Sequence, residues 1–253
     1  MAPARAGRKP QRMTEYPRPF IAVHQPNYAP WIGYFVKMAV ADTFVLLDDV
    51  QFSKGSWTNR AKAMGPNGPA FLTVPLAKPG FLPIREIRIS DPAWREAHVR
   101  KLRDWYRETE GLPLAASAVE AAAGDCLAEA NERGIESLCG ILGIRPSVVR
   151  SSALGIDAAD PVGRLVQICA KLGAGTYISG QGASKYNDTA AFKTAGIELA
   201  YLRFDHPEYP QGRGEFTRGL SVLDLVACCG SSSRDVFERT KATAVLEAPP
   251  TTP

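Results

Sequence analysis

The stretch FIAVHQPNYAPWIGYFVKMAVADTFVLLDDVQFSKGSWTNR, residues 20–60, decides the fold. It opens on an apolar run, Phe20 to Val23, stops at His24 and turns through Gln25 to Pro30. Trp31 to Ala41 reads as a helix, and Thr43 to Leu47 is a second apolar run that stops at Asp48 and Asp49. Continuous apolar runs joined by a helix read as parallel strands covered on both faces, with a crossover that brings their carboxyl ends to one edge. Open α/β sheets bind ligands at that edge, so His24 is expected there beside Asp48 and Asp49.

Outward from this unit, Trp57 to Met64 and Ala70 to Leu76 flank Gly65-Pro66-Asn67-Gly68-Pro69 and read as a hairpin that extends the sheet. Arg85 to Ile89 alternates charged and apolar residues like a short strand. Ser90-Asp91-Pro92 starts a helix with an aromatic stripe that includes His98, expected as a hydrogen-bonded core histidine. Two more helices, Leu114 to Ala123 and Asp125 to Leu142, complete a helical insertion at about residues 90–143. Strand and helix then alternate again: Ser147 to Ser152, a helix capped by Asp160-Pro161, Thr176 to Ile178, Asp188 to Ala195, Ile197 to Phe204, and a last helical run from Ser221. The expected fold is α/β, a mostly parallel sheet with helices on both faces. Its domain spans residues 18–243, between a disordered leader, 1–17, and a disordered tail, 244–253.

Composition narrows the function. A chain of 253 residues, 45% hydrophobic, can bury a large core. Its net charge of +4 owes much to Arg5, Arg8, Lys9 and Arg12 of the leader, which is no signature of nucleic-acid binding. The five cysteines include no C-x-x-C pair and read as reduced thiols of a cytoplasmic protein. Cys228-Cys229 lies in an apolar helical run and reads as inert core. No apolar run approaches the roughly 18 residues of a membrane span. The three histidines and scattered cysteines show no zinc-ligand spacing, and no metal or cofactor is expected, although the Asp48-Asp49 pair leaves a Mg²⁺ site open.

His24 is the candidate general base, with Asp48 or Asp49 to orient it; the carboxylate pair also reads as an ordinary polar strand end. Arg60 offers a planar fork for phosphate or carboxylate, and alternation along a strand would place it opposite Trp57 and Asn59. Tyr28, Trp31 and Tyr34 could stack on a sugar or base, or pack as core, and Tyr34 leans to core. Ser179-Gly180-Gln181-Gly182 has the form of an anion-binding turn. His206 stands in a Pro- and Gly-rich loop long enough to act as a lid.

The segments HQPNYAPWIGYF, LLDDVQFSKGSWTNR, YISGQGASKY and EYPQ with GLSVLDLV resemble the WbqC-like protein family, over about residues 20–240. The resemblance implies an enzyme of surface-polysaccharide or secondary-metabolite biosynthesis and adds Gln25, Asn27, Gln51 and Tyr186 to the candidate substrate-binding residues. The opening unit is also similar to that of nucleotidylyltransferases, with Trp31-Ile32-Gly33-Tyr34 where that superfamily carries H-x-G-H, so its phosphate-stabilising histidines are missing. The expected reaction is transfer of an acyl or aminoacyl group onto an amine or hydroxyl of a sugar or small metabolite. The donor would be a coenzyme A thioester or an acyl carrier protein. A nucleotide-using enzyme and a non-catalytic sugar- or nucleotide-binding module are the alternatives.

Overall fold

Strand β1 (Phe20–His24) runs through the middle of a six-stranded sheet. The computed structural model describes residues 13–249 except 79, 159, 185, 186 and 213. In chain order the other strands of the sheet are β2 (Thr43–Leu46), β5 (Val148–Arg150), β6 (Thr176–Gly180), β7 (Glu198–Arg203) and β8 (Val245–Glu247). Across the sheet they stand in the order β5-β2-β1-β6-β7-β8. All neighbours are parallel except β7 and β8. This is the expected α/β fold.

The order places the topological switch between β1 and β6: from β1 the chain winds outward through β2 to β5, and from β6 through β7. At such a reversal the connections leave in opposite directions, and a crevice opens beyond the strand ends. Side-chain alternation splits the core in two. Phe20, Ala22, Phe44, Leu46, Ile178 and Leu202 face α1 (Ile32–Val40) and the helices behind it, whereas Ile21, Val23, Val45, Tyr177 and Tyr201 face Ile168 and Cys169 of α5 (Pro161–Lys171) and Phe192 of α6 (Thr189–Thr194). Asp160 caps α5 by accepting from the Gly163 amide at 2.8 Å, as the Asp-Pro start predicts.

The insertion consists of α2 (Trp94–Trp105), α3 (Leu112–Ala121) and α4 (Leu127–Leu142), and its aromatic stripe is buried. His98 is a core histidine: Nε2–H donates to the Thr73 carbonyl at 3.1 Å, and Nδ1 accepts from the Tyr28 hydroxyl at 2.9 Å. Burial lowers its pKa to about 4.

Four local expectations are corrected. The hairpin of β3 (Arg60–Gly65) and β4 (Gly68–Thr73) does not extend the sheet but pairs only with itself. It docks through the Lys62 carbonyl, which accepts from the Ser221 amide at 2.7 Å. Arg85 to Ile89 is no strand; Ile84–Glu86 is a 3-10 turn, with only isolated bridges at Arg88 and Ile89. Val245–Glu247, expected in the tail, closes the sheet beside β7, because Leu246 reaches the apolar core. At the other end Tyr16, expected in the leader, is buried, and the Pro17 carbonyl accepts from Thr176 Oγ1 at 2.7 Å.

Helices α7 (Val222–Cys229) and α8 (Ser233–Ala242) finish the larger core. Asp224 of α7, fully buried, accepts from Tyr106 Oη at 2.5 Å, Tyr209 Oη at 2.9 Å and Gln211 Nε2 at 3.1 Å. This carboxylate ties α2 and the loop after β7 to one helix. The paired segments EYPQ and GLSVLDLV therefore meet in space, with Tyr209 and Gln211 of one bonded to Asp224 of the other. Among the described residues, no helix is long and apolar enough to cross a membrane.

Candidate active site

The carboxyl end of β1 delivers His24 to the switch point. There a cavity of about 660 Å³ opens between the ends of β1 and β6, lined by His24, Gln25, Tyr177, Ser179 and the turn Gly180 to Ala183, with Trp31, Phe204 and His206 on its rim. A second cavity of about 350 Å³ lies on the other side of His24 and Trp31, against Asn27, Tyr28, Trp57, Arg60, Lys62 and Ser221. His24 and Trp31 are common to both walls. Ligands in the two chambers would therefore meet at the imidazole.

The local sequence explains the wall. Trp31 lies over Gly33, where any Cβ would run into the Trp31 and Phe204 rings, so the aromatic-x-Gly pattern lets the indole fold back onto its own helix. The indole remains 42% exposed and stacks on His206, with centroids 6.2 Å apart and planes 16° apart. His24 meets the Tyr34 ring edge-on at 4.8 Å, and its Nδ1 stands 3.2 Å from the Gln25 carbonyl. A carbonyl only accepts, so Nδ1 carries the proton and Nε2 keeps the lone pair. Burial, reinforced by the charge on Lys37, lowers the His24 pKa to about 3 against the hydrogen bond to Gln25. His24 is thus neutral throughout the physiological range.

Lys37, which sequence reasoning missed, forms part of the larger cavity wall. It is 6% exposed, and its Nζ donates to the Val23 carbonyl at 3.1 Å. Burial lowers its pKa to about 7. The available signal was one lysine inside the otherwise apolar helix IGYFVKMAV.

Asp48 and Asp49 are engaged elsewhere. Asp48 accepts from the Ser152 amide at 3.0 Å and the Ser152 hydroxyl at 2.7 Å. Asp49 accepts from Ser151 Oγ at 2.5 Å and from Arg164 Nη1 at 2.9 Å. Neither lines either of these two cavities or bonds to His24 among the described residues. The expectation that one of them orients His24 is therefore corrected. Beyond β2 the carboxylates turn to Ser151 and Ser152 after β5, and only Leu47 of that strand's end reaches the larger cavity.

The other candidates divide. Gln25, Trp31, Ser179, Gly180 and His206 line the larger cavity. Asn27, Tyr28, Trp57 and Arg60 line the smaller. Gln51 is exposed in neither wall, and Asn59 spends its amide on the Val74 carbonyl at 3.2 Å. Tyr186 lies outside the described residues. Trp57 sits in a turn before β3, so strand alternation does not separate it from Arg60. Instead the Arg60 guanidinium lies 5.6 Å from the Trp57 ring centroid and 4.7 Å from that of Phe71, and its buried Nε has no hydrogen-bond partner. His206 has both nitrogens occupied, Nδ1–H by the Pro207 carbonyl at 2.9 Å and Nε2 by the Gly219 amide at 3.2 Å. It contributes a face to the cavity, not a base. Ser179 Oγ accepts from Asn187 Nδ2 at 2.9 Å, a second unforeseen neighbour. No grouping of three or more His, Cys, Asp or Glu suited to a metal occurs among the described residues.

A mostly parallel sheet with helices around it and two adjoining cavities at its switch point defines an α/β protein. The chain belongs to the WbqC-like protein family, whose model matches residues 25–236. It is similar to "Uncharacterized protein Rv1507c" of Mycobacterium tuberculosis (strain ATCC 25618 / H37Rv), 31% identical over 231 residues, 85% of this chain and 96% of that protein. No solved structure matches.

Proposed function

We propose that the protein is a biosynthetic transferase that moves an acyl or aminoacyl group from a thioester donor onto an amine or hydroxyl of a sugar or small metabolite. The observation that carries this reading is the wall shared by the two cavities: His24 and Trp31 border both, so donor and acceptor held apart still meet at one imidazole. Proximity of this kind replaces a bimolecular encounter. Family membership supports a biosynthetic role.

The chemistry follows from the His24 tautomer. The acceptor nitrogen or oxygen attacks the thioester carbonyl and passes its proton to Nε2. As the tetrahedral species collapses the C–S bond breaks, and the departing sulfur recovers that proton. With its pKa lowered to about 3, His24 is a weak base but its imidazolium is a strong acid, so it returns the proton readily to a leaving thiolate. Arg60, stacked on aromatic rings with Nε unpartnered, holds an anionic handle of the ligand in the smaller cavity.

The glycine-containing turn Gly180 to Ala183 at the switch point favours a second reading, a nucleotide-using ligase or nucleotidylyltransferase. One assay separates the two. The protein is incubated with amino sugars and either a panel of acyl-coenzyme A thioesters or ATP with the corresponding free acids, and free thiol and pyrophosphate are followed in parallel. Acceptor-dependent thiol release, lost in His24→Ala, supports transfer; ATP-dependent pyrophosphate release without thiol release overturns it in favour of the second reading.

A further inference from the structure

The larger cavity is bordered by a buried lysine, Lys37, with no counter-ion among the described residues. Around Lys37 the ionisable groups of the wall are His24 of β1, Tyr34 of α1, Tyr177 of β6, Arg203 of β7 and His206 of the following loop; none is a carboxylate. Arg203 is already paired, with Nε 2.7 Å from Glu247 Oε1. Lys37 forms no ion pair among the described residues; its one hydrogen bond there goes to a backbone carbonyl, and its Nζ stands 5.7 Å from the Phe44 ring centroid. An ammonium has three donors, so one acceptor leaves two unmet. Buried charges in folded proteins are normally paired, because desolvation otherwise makes the charged form costly. The chain carries 26 acidic residues, yet no Asp or Glu among the described residues lines either cavity.

We propose that the larger cavity binds an anionic group, a carboxylate or a phosphate, which serves as the missing counter-ion of Lys37. Given the transfer reading above, on which this clause alone rests, the substrate seated between β1 and β6 is an anion. Its charged group lies against Lys37 and its reactive end points to His24. Lys37 has no counter-ion among the described residues because that counter-ion arrives with the substrate. Lys37 is buried on α1 and borders the cavity, whose volume of about 660 Å³ has room for an anion.

The test is the titration of Lys37 itself, followed in the full chain by trace acetylation with isotopically labelled acetic anhydride and mass spectrometry of each lysine across a pH series. In chloride Lys37 should titrate at about 7. Inorganic phosphate, at constant ionic strength, should raise that value by about 1–3 units, the effect of an opposite charge within a few ångströms. The exposed Lys54 and Lys78 should not move. A parallel series in acetate tells carboxylate from phosphate. A Lys37 profile identical in chloride, phosphate and acetate overturns the proposal. As a second readout, the effective anion should raise the Tm of the wild type and of Arg60→Ala saturably, but not that of Lys37→Met; an equal rise in Lys37→Met overturns it as well. The wild-type titration needs no variant to fold. Neither readout uses turnover, so a negative result here leaves the transfer reading standing, and a failed transfer assay leaves the anion site standing.

Discussion

Two groups of polar side chains stand beyond the sheet, one strand apart, and they are built in opposite ways. At the end of β2, Asp48 and Asp49 have all four carboxylate oxygens occupied by Ser151, Ser152 and Arg164. At the end of β1, His24 keeps a free Nε2, and Lys37 has no counter-ion among the described residues. The first group is internally complete, so it holds β2 to the chain after β5. The second is not completed by the described residues. Polar groups left unpaired in a crevice cost stability that a purely structural site has no reason to forgo.

Turnover is where the two groups should separate most. Replacing His24 with Ala should lower it by about 10²–10⁴ with little change in KM, as expected for proton transfer in the transition state. Replacing Asp49 with Asn should leave turnover per folded molecule within a few-fold, and equal losses in both variants would erase the distinction.

Stability should show the reverse pattern. Asp48 is 1% exposed, and Asp48→Ala strands the Ser152 amide and hydroxyl, so a loss of roughly 2–4 kcal/mol in urea unfolding is expected. Lys37→Met should instead raise stability at neutral pH, by on the order of 1–3 kcal/mol, since it removes a desolvated ammonium. The pH dependences follow from the same groups. The Lys37 pKa is depressed from 10.5 to about 7, so its contribution is fully present above about 10.5 and is lost as pH falls toward 7. His24 and His98, depressed from 6.5 to about 3 and about 4, contribute stability present above 6.5 and lost as pH falls toward those values. Urea midpoints that rise on acidification from neutral pH would contradict this.

The smallest effect is expected at Cys228 and Cys229. Burial raises the pKa of both thiols, to about 12 for Cys228, so Cys228→Ser and Cys229→Ser should keep activity within a few-fold. An acyl group found on either sulfur by mass spectrometry would overturn this.

Much of the architecture was legible because apolar runs and helix starts are local signals. His24, Trp31 and Arg60 were found in this way, each at or near the end of an element of the opening stretch. What escaped was pairing across long separations. Nothing in residues 20–60 says that Thr176–Gly180 inserts beside β1, and this neighbour brings Tyr177, Ser179 and Gly180 to the cavity beside His24. Lys37 escaped for a different reason: a lysine on an apolar helix reads as a solvated end, and its burial appears only once β1 and β2 pack against it. The hairpin misled because turn signals predict a β-ribbon without saying which sheet it joins.

The most direct test of the central claim is where a substrate analogue binds. A crystal structure of the wild-type protein with the thioether analogue of an acyl-coenzyme A should show the ligand in one of the two chambers, with the carbon that replaces the thioester carbonyl against His24 Nε2 and the other chamber left open for the acceptor. Density for the same ligand beyond the end of β2, against Asp48 and Asp49 with His24 untouched, would contradict the account.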